Sequence, residues 1–186
     1  NMKYIVAGIG GQGILFATKV LGHIALGKGL PVIGSEVHGM SQRGGSVISH
    51  FKIGDYQSPL IASGDADIFL AFDQSEALRN YHFLREGGQA VINVEHPAEL
   101  AHPRLQDYFS QRHITVHALD GLGLIREHLG GKFLFLNVLI LGALCGAGLG
   151  NFSRDEMRQA VGELAPARFR EENLKGFDLG YGALAK

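Results

Sequence analysis

The fold is decided by residues 4–21, YIVAGIGGQGILFATKVL. A short apolar run at 4–7 leads into a glycine-rich turn, and apolar residues then recur at helical spacing. This order predicts a β-strand, a tight turn and an amphipathic helix from about 13 to 26. Strand–helix units of this kind are typical of α/β proteins with a mainly parallel sheet.

The turn itself matches a phosphate-binding pattern. Gly8, Gly10 and Gly13 satisfy G-x-G-x-x-G, and Glu36 stands where a ribose-binding acid would be expected. Glycines between a strand and a helix leave N–H groups unpaired at the positive end of the helix dipole, which favours an anion such as a pyrophosphate. A second interpretation is that the glycines only permit a tight turn and close packing of the helix on the sheet.

Composition places the chain among ordinary globular proteins. Its 186 residues predict one domain, 1–186, and the net charge of −1 favours neither nucleic acid nor an anionic membrane as partner. The single cysteine excludes an internal disulfide and cannot supply the thiolates of an iron–sulfur cluster. Residues 133–149 are strongly apolar, but they are short for a membrane span and include Asn137, so they predict a buried helix. We expect a cytoplasmic protein.

Short apolar strands alternate with helical segments along the rest of the chain. The pattern predicts a three-layer α/β/α, Rossmann-like domain with a mainly parallel sheet. An antiparallel hairpin is expected between 46–53 and 57–61. The further strands are predicted at 31–35, 68–72, 90–94 and 114–118, and the further helices at 75–84, 105–111, 122–129, 133–148 and 154–164.

A polar segment, EVHGMSQRGG at 36–45, is predicted to form a loop at the carboxyl edge of the sheet, where ligands bind in open α/β folds. Arg43 would place a guanidinium beside the backbone amides of Gly44 and Gly45, an arrangement suited to phosphate or carboxylate. Gln12 would add a side-chain amide at the helix tip. The alternative is a surface loop in which Arg43 pairs with Glu36.

Four segments together are more specific than the turn. GIGGQGILFA at 8–17, SEVHGMSQRGGSV at 35–47, QSPLI at 57–61 and GDADIFLAFDQSEALR at 64–79 resemble the gamma subunit, or gamma domain, of the 2-oxoacid:ferredoxin oxidoreductases. HGMSQRGG is most similar to the smaller subunit of the indolepyruvate enzymes. ENLKGFDLG at 172–180 also resembles the C-terminal end of this family.

This resemblance implies a role in the coenzyme A-dependent oxidative decarboxylation of a 2-oxoacid, with indolepyruvate as one candidate substrate. The family uses thiamine diphosphate with Mg²⁺, [4Fe–4S] clusters and ferredoxin. Gly64-Asp65-Ala66-Asp67 is not the Gly-Asp-Gly motif with a downstream Asn that binds thiamine diphosphate, and Cys145 is alone. We therefore expect partner subunits to bring these cofactors, and the isolated chain, for which a homodimer is a possible state, to be inactive.

The resemblance also implies that the chain helps to place coenzyme A. His38 and Met40 would face the partner subunit, and Ser58 would shape a neighbouring wall. No residue is expected to be catalytic. The residues expected to bind coenzyme A or another nucleotide are Gly8, Gly10, Gly11, Gln12, Gly13, Glu36, His38, Arg43, Gly44, Gly45 and Ser58.

Two other functions fit parts of the pattern. The chain could be an independent NAD- or FAD-binding protein in which Glu36 holds the ribose hydroxyls, or an interaction scaffold in which the glycines serve packing alone. A metal site is not expected. The acidic residues around the predicted strand 68–72 are better explained as turn and helix-cap residues, with Asp73 and Ser75 as the candidate caps of the next helix. Ser153 and Glu156 are expected to form a capping box at the start of the helix at 154–164.

Overall fold

Six strands form one mixed sheet in the computed structural model, which describes residues 1–41 and 44–186. The strand order is β2-β3-β1-β4-β5-β6. Strands β1, β4, β5 and β6 are parallel neighbours, and β3 is antiparallel to both β1 and β2. The strands are β1 Met2–Ile9, β2 Val32–Ser41, β3 Gly44–Ile53, β4 Ala66–Ala71, β5 Leu84–Asn93 and β6 Thr115–Leu119.

Helices cover both faces of the sheet, which confirms the three-layer α/β/α prediction. Side chains of α1 and α5–α8 form one apolar core with the first face, and those of α2–α4 form a second core with the other. The helices are α1 Ile14–Gly27, α2 Gln74–Asn80, α3 Pro97–Leu100, α4 Pro103–Gln111, α5 Gly121–His128, α6 Leu136–Gly146, α7 Arg154–Leu164 and α8 Arg170–Leu184. Within the described ranges, every helix is too short or too polar to cross a bilayer.

The antiparallel hairpin lies one element earlier than predicted. It is made by β2 and β3, and the predicted return strand at 57–61 is wrong, because that segment has no strand structure. The predicted loop at 36–45 is also wrong over its described part, since residues 36–41 continue β2 and residues 44–45 begin β3. Polar residues and glycines suggested a loop, but backbone pairing between two strands does not depend on side-chain polarity.

Two further corrections concern glycines and the C-terminal end. The helix predicted at 75–84 ends at Asn80, and the strand predicted at 90–94 begins earlier, at Leu84, so that Gly87 and Gly88 lie inside β5. Helix α8 was not predicted. It packs across α6 so closely that a Cβ atom at Gly142 would lie 1.9 Å from the Phe177 carbonyl oxygen, and one at Gly180 would lie 1.8 Å from the Leu139 carbonyl oxygen.

Helix capping follows the sequence prediction. The Asp73 carboxylate accepts a hydrogen bond from the Glu76 N–H at the start of α2. Ser153 and Glu156 form a capping box at the start of α7, in which each side chain accepts from the other residue's backbone N–H. The acidic residue at 73 therefore has a structural role.

A salt bridge joins α7 to α8. Arg158 donates from Nε and Nη2 to the two carboxylate oxygens of Asp178, both at 2.9 Å, and Arg154 lies 3.6 Å from Asp178 Oδ1. The hydrogen bonds from Arg158 are the main reason why the pKa of Asp178 lies below its ordinary value of 3.8. The pair is partly exposed, so solvent screening limits its contribution to about 1 kcal/mol.

We expect Asp178→Asn to lower the free energy of unfolding by about 1 kcal/mol at neutral pH. Because the folded-state pKa is depressed, this contribution is present above the unfolded pKa and is lost as pH falls through the folded pKa. The difference in melting temperature between wild type and variant should therefore shrink below about pH 4. Asp107→Asn, at an exposed site on α4, is the control and should change little. If the difference in melting temperature stayed the same below about pH 4, the stabilisation could not come from the ionised Asp178 carboxylate.

Candidate functional site

The turn between β1 and α1 is closed by its own glutamine. The Gln12 carbonyl oxygen, Oε1, accepts a hydrogen bond from the Ile9 N–H at 2.7 Å, while the Gln12 backbone N–H donates to the Ile9 carbonyl at 3.2 Å. Gly11 and Gly13 have φ values of +91° and +82°, in the left-handed region that favours glycine. Since Oε1 is engaged within the turn, Nε2 is the atom of the Gln12 side chain that could donate to a ligand.

Close packing explains two of the glycines. A Cβ atom at Gly8 would lie 2.6 Å from Gln12 Oε1 and 2.8 Å from Ile14 Cδ1. A Cβ atom at Gly13 would lie 2.4 Å from Asn137 Nδ2, on the buried helix α6. By contrast, no atom of the described residues beyond its two chain neighbours lies within 4 Å of a Cβ atom placed at Gly11, and one at Gly10 would make an ordinary contact with the Gly45 carbonyl oxygen, at 3.7 Å. The packing interpretation therefore holds for Gly8 and Gly13 but leaves the middle of the turn open.

The open part of the turn presents free donors. Phe16 and Ala17 donate to the Gly13 carbonyl, and Gly13 caps α1 without any side-chain hydrogen bond. Across the described part of the chain, no acceptor is found for the N–H groups of Gly11, Gly13, Ile14 and Leu15. They lie at the positive end of a 14-residue helix, where an anion would be stabilised.

The beginning of β3 lies against this turn. The Gly10 N–H donates to the Gly45 carbonyl at 2.9 Å, and Ile9 pairs with Ser46. Both lie at the carboxyl edge of β1, which is the edge that binds ligands in open α/β sheets. The structure thus brings together the glycine turn and Gly45. Arg43, predicted to donate to an anion here, lies outside the described residues.

Glu36 and His38 lie farther out. Both are exposed on β2, where Glu36 pairs with Ser49 and His38 with Val47 of β3. The antiparallel β3 occupies the place beside β1 from which a dinucleotide-binding fold presents its ribose-binding acid. Glu36 is therefore one strand removed from the position that the NAD or FAD interpretation requires.

Ser58 belongs to a different face. It is exposed, and its Oγ accepts from the Leu60 N–H at 3.3 Å. The segment is held by Ile61, which packs in the core opposite α1 and donates its N–H to His50 Nδ1 at 2.9 Å. Burial is the main cause of the lowered pKa of His50.

Two residues that were not predicted to belong to the site support its geometry. Asn137 lies beneath Gly13, with Nδ2 3.4 Å from the Gly13 carbonyl oxygen. In the sequence, this role of Asn137 was indicated by nothing more than an amide side chain within an apolar helix. Arg79 donates to the Met40 carbonyl at 3.4 Å and lies 3.5 Å from the carboxylate of Glu76, a residue that is 1% exposed. Arg79 therefore links α2 to the hairpin near its tip.

Metal and thiol chemistry have little support. No group of three or more His, Cys, Asp or Glu side chains among the described residues is placed to hold a metal ion. Burial raises the pKa of the Cys145 thiol to about 12, so the thiol is protonated at neutral pH and poorly nucleophilic. The chemistry that the site offers is therefore anion binding by backbone donors.

Comparison with known proteins covers nearly the whole chain. The family model described as pyruvate ferredoxin/flavodoxin oxidoreductase matches residues 3–183. The chain is 32% identical to the indolepyruvate oxidoreductase subunit IorB of Archaeoglobus fulgidus, over 97% of this chain and 94% of that subunit.

Solved structures show the same fold. The gamma subunit of a keto/oxoacid ferredoxin oxidoreductase from Geobacter sulfurreducens superposes with a TM-score of 0.72 at 23% identity, covering 99% of this chain and 98% of that one. The 2-oxoglutarate:ferredoxin oxidoreductase of Magnetococcus marinus, solved with 2-oxoglutarate, coenzyme A and succinyl-CoA bound, superposes with a TM-score of 0.70 at 19% identity. That match covers 98% of this chain and 31% of the larger one. The resemblance inferred from the four sequence segments is thereby confirmed.

Proposed function

The chain belongs to the pyruvate ferredoxin/flavodoxin oxidoreductase family, and from this premise we propose that it is the gamma-type subunit of a coenzyme A-dependent 2-oxoacid:ferredoxin oxidoreductase, with indolepyruvate as the 2-oxoacid. The observation that carries the proposal is the correspondence of nearly the entire chain to one whole subunit. An independent NAD- or FAD-binding protein gains no such support.

The ligand side chains and motifs present in the chain determine which cofactors it could bind. A [4Fe–4S] cluster needs several thiolates, and this chain has one cysteine, which is largely buried in α6. The residues at 64–67 lack the motif that binds thiamine diphosphate and Mg²⁺. We propose that partner subunits hold both cofactors and pass electrons to ferredoxin, and that the isolated chain does not turn over substrate.

Coenzyme A fits the residues of this chain better than an iron–sulfur cluster or thiamine diphosphate does. The free N–H groups of Gly11, Gly13, Ile14 and Leu15 suit a diphosphate, and Gln12 Nε2 could add a side-chain donor. Gly45 is held at the turn by Gly10, and we propose Arg43 as a further donor to the same anion. When bound, coenzyme A supplies the thiol that accepts the acyl group. This chain would hold the diphosphate and so orient the thiol toward the partner's active site.

We expect Arg43→Ala in the assembled complex to raise the KM for coenzyme A about tenfold and to leave the KM for the 2-oxoacid unchanged. Loss of one charge-assisted hydrogen bond to a phosphate costs about 1.5–3 kcal/mol, and 1.4 kcal/mol corresponds to a factor of ten. Arg104→Ala, at an exposed site on α4, is the matched control and should behave as wild type. An unchanged KM for coenzyme A in the Arg43 variant would remove Arg43 from the site.

The isolated chain offers an independent test of the ligand class. Binding to the native state stabilises by RT ln(1 + [L]/Kd), about 2.7 kcal/mol at a hundredfold excess over Kd, so a melting experiment would detect it. A rise in melting temperature with coenzyme A supports the proposed site. A rise with NAD or FAD and none with coenzyme A would overturn it in favour of an independent nucleotide-binding protein.

A further inference from the structure

The outer edge of β2 presents a regular row of backbone groups that none of the described strands pairs with. Among the strands of residues 1–41 and 44–186, β2 is the outermost and pairs with β3 alone, in a register where paired residue numbers sum to 85. The Gly54 N–H donates to the Pro31 carbonyl at 2.8 Å, so 31 and 54 form a hydrogen-bonded pair. Because such pairs alternate along an antiparallel ladder, the odd-numbered residues of β2 direct their N–H and C=O groups toward β3. The even-numbered residues direct theirs outward, and these are Val32, Gly34, Glu36, His38 and Met40.

This edge lacks the usual protection against pairing. Natural edge strands are commonly short, or carry Pro or charged residues, above all Lys, in the strand. The one charged residue of β2 is Glu36. β2 is ten residues long, and its only proline neighbour, Pro31, precedes it. It also exposes apolar side chains on both faces, with Met40 89% and Val37 45% exposed. The opposite edge strand, β6, has five residues.

A groove of about 500 Å³ runs beside the edge, between α1 and the hairpin. Leu15 and Leu26 of α1 border it, and Gly34 and Phe51 contribute to its lining. Gly34 pairs with Phe51, whose ring faces Gly22 of α1, so the even-numbered side chains of β2 lie on the groove side of the sheet. Any strand added at this edge would place alternate side chains beside the groove.

A second copy of the same strand complements this edge in one register. If Glu36 faced itself across a two-fold axis, two carboxylates would oppose each other, which is unfavourable. If one β2 strand is moved by two residues along the other, Glu36 of each copy lies opposite His38 of the other copy. Each of the two imidazoles can then donate a hydrogen bond to a carboxylate. The same register places Met40 opposite Gly34 of the second copy, beside the groove, and makes Val37 meet its own equivalent on the other face.

We propose that two copies of this chain associate through antiparallel pairing of β2 with β2 in this register, which joins their six-stranded sheets into one. The interface is isologous, as a two-fold axis requires. Met40 of each copy fills the space above Gly34 of the other, and the Met40 carbonyl, which already accepts from Arg79, has a second lone pair for the new ladder. The inference depends on the strand edge and on neither the substrate nor the cofactors of the proposed function.

Charge reversal tests the pairing and its register together. Sedimentation equilibrium of the full chain across the micromolar range should give twice the monomer mass. His38→Glu, which places a carboxylate opposite Glu36 at two sites, should raise the dimer Kd about tenfold or more, since each like-charge pair costs a few tenths to about 1 kcal/mol. The double variant Glu36→Lys with His38→Glu should restore dimerisation. Thr115→Glu, which adds the same charge at the exposed edge strand β6, should leave it unchanged.

A cysteine at the two-fold axis gives a second readout. Val37→Cys should form a disulfide-linked dimer under mild oxidation, because residue 37 meets residue 37, whereas Ser35→Cys should not, because residue 35 faces residue 39. The native Cys145 does not compete, as its thiol is protonated and largely buried. A wild-type chain that stays monomeric would overturn the proposal. So would a dimer that His38→Glu does not weaken, or one that Val37→Cys fails to cross-link.

Discussion

Gly180→Ala and Gly142→Ala should each destabilise the fold by about 3 kcal/mol or more, which is a large part of the 5–15 kcal/mol that holds a typical domain together. The new methyl groups would lie 1.8 Å from the Leu139 carbonyl oxygen and 1.9 Å from the Phe177 carbonyl oxygen, respectively. Backbone atoms cannot rotate away as a flexible side chain can, so α6 and α8 must separate and leave voids in the core. Urea denaturation followed by circular dichroism would measure the loss.

The control for this prediction lies in the same helix. A Cβ atom at Gly182 would lie more than 4 Å from every residue packed against its helix in the described ranges, so Gly182→Ala should stabilise the chain by up to about 1 kcal/mol through helix propensity alone. Opposite signs for two Gly→Ala changes in α8 would show that close packing, rather than glycine flexibility, determines the effect. A Gly180→Ala variant as stable as wild type would contradict the close crossing of the two helices.

These glycines also explain why α8 was not predicted from the sequence. Gly176, Gly180 and Gly182 lower helix propensity, and Pro166 precedes the segment as an apparent break. The compensating gain is close approach to α6, where Gly142 and Gly146 also leave room. A single sequence shows the local cost of each glycine but not the partner helix. By contrast, α7 was predicted at its exact bounds, 154–164, because its capping box is a local signal.

The site was predicted only in part, because local signals can be read from the sequence whereas contacts between distant elements cannot. The G-x-G-x-x-G turn is local and was located correctly between β1 and α1. The hairpin beside the turn was not located correctly, because β2 is exposed on both faces and shows no alternation of apolar and polar residues. Its position depends on pairing with β3, and the contact between Gly10 and Gly45 follows from that pairing. Asn137, 124 residues from Gly13, could be assigned to the turn only from the structure.

Gly13→Ala should cost about 2–4 kcal/mol, more than Gly11→Ala at the neighbouring left-handed position. Both residues have positive φ, which costs an alanine about 1–2 kcal/mol. At Gly13 the methyl group also meets a packed side chain, at 2.4 Å from Asn137 Nδ2, whereas at Gly11 it meets none of the residues that the structure describes. The difference between the two variants in denaturant midpoint therefore measures the packing cost of the turn separately from its backbone strain.

A double-mutant cycle with Asn137→Ala tests whether that packing cost comes from the asparagine. Truncation removes the amide that the new methyl would meet, so the two changes together should cost less than the sum of each alone, by about 0.5–3 kcal/mol. Gly11→Ala with Asn137→Ala should be additive, because residue 11 does not contact the asparagine. If Gly13→Ala were also additive with Asn137→Ala, the glycine would be required for its backbone conformation alone.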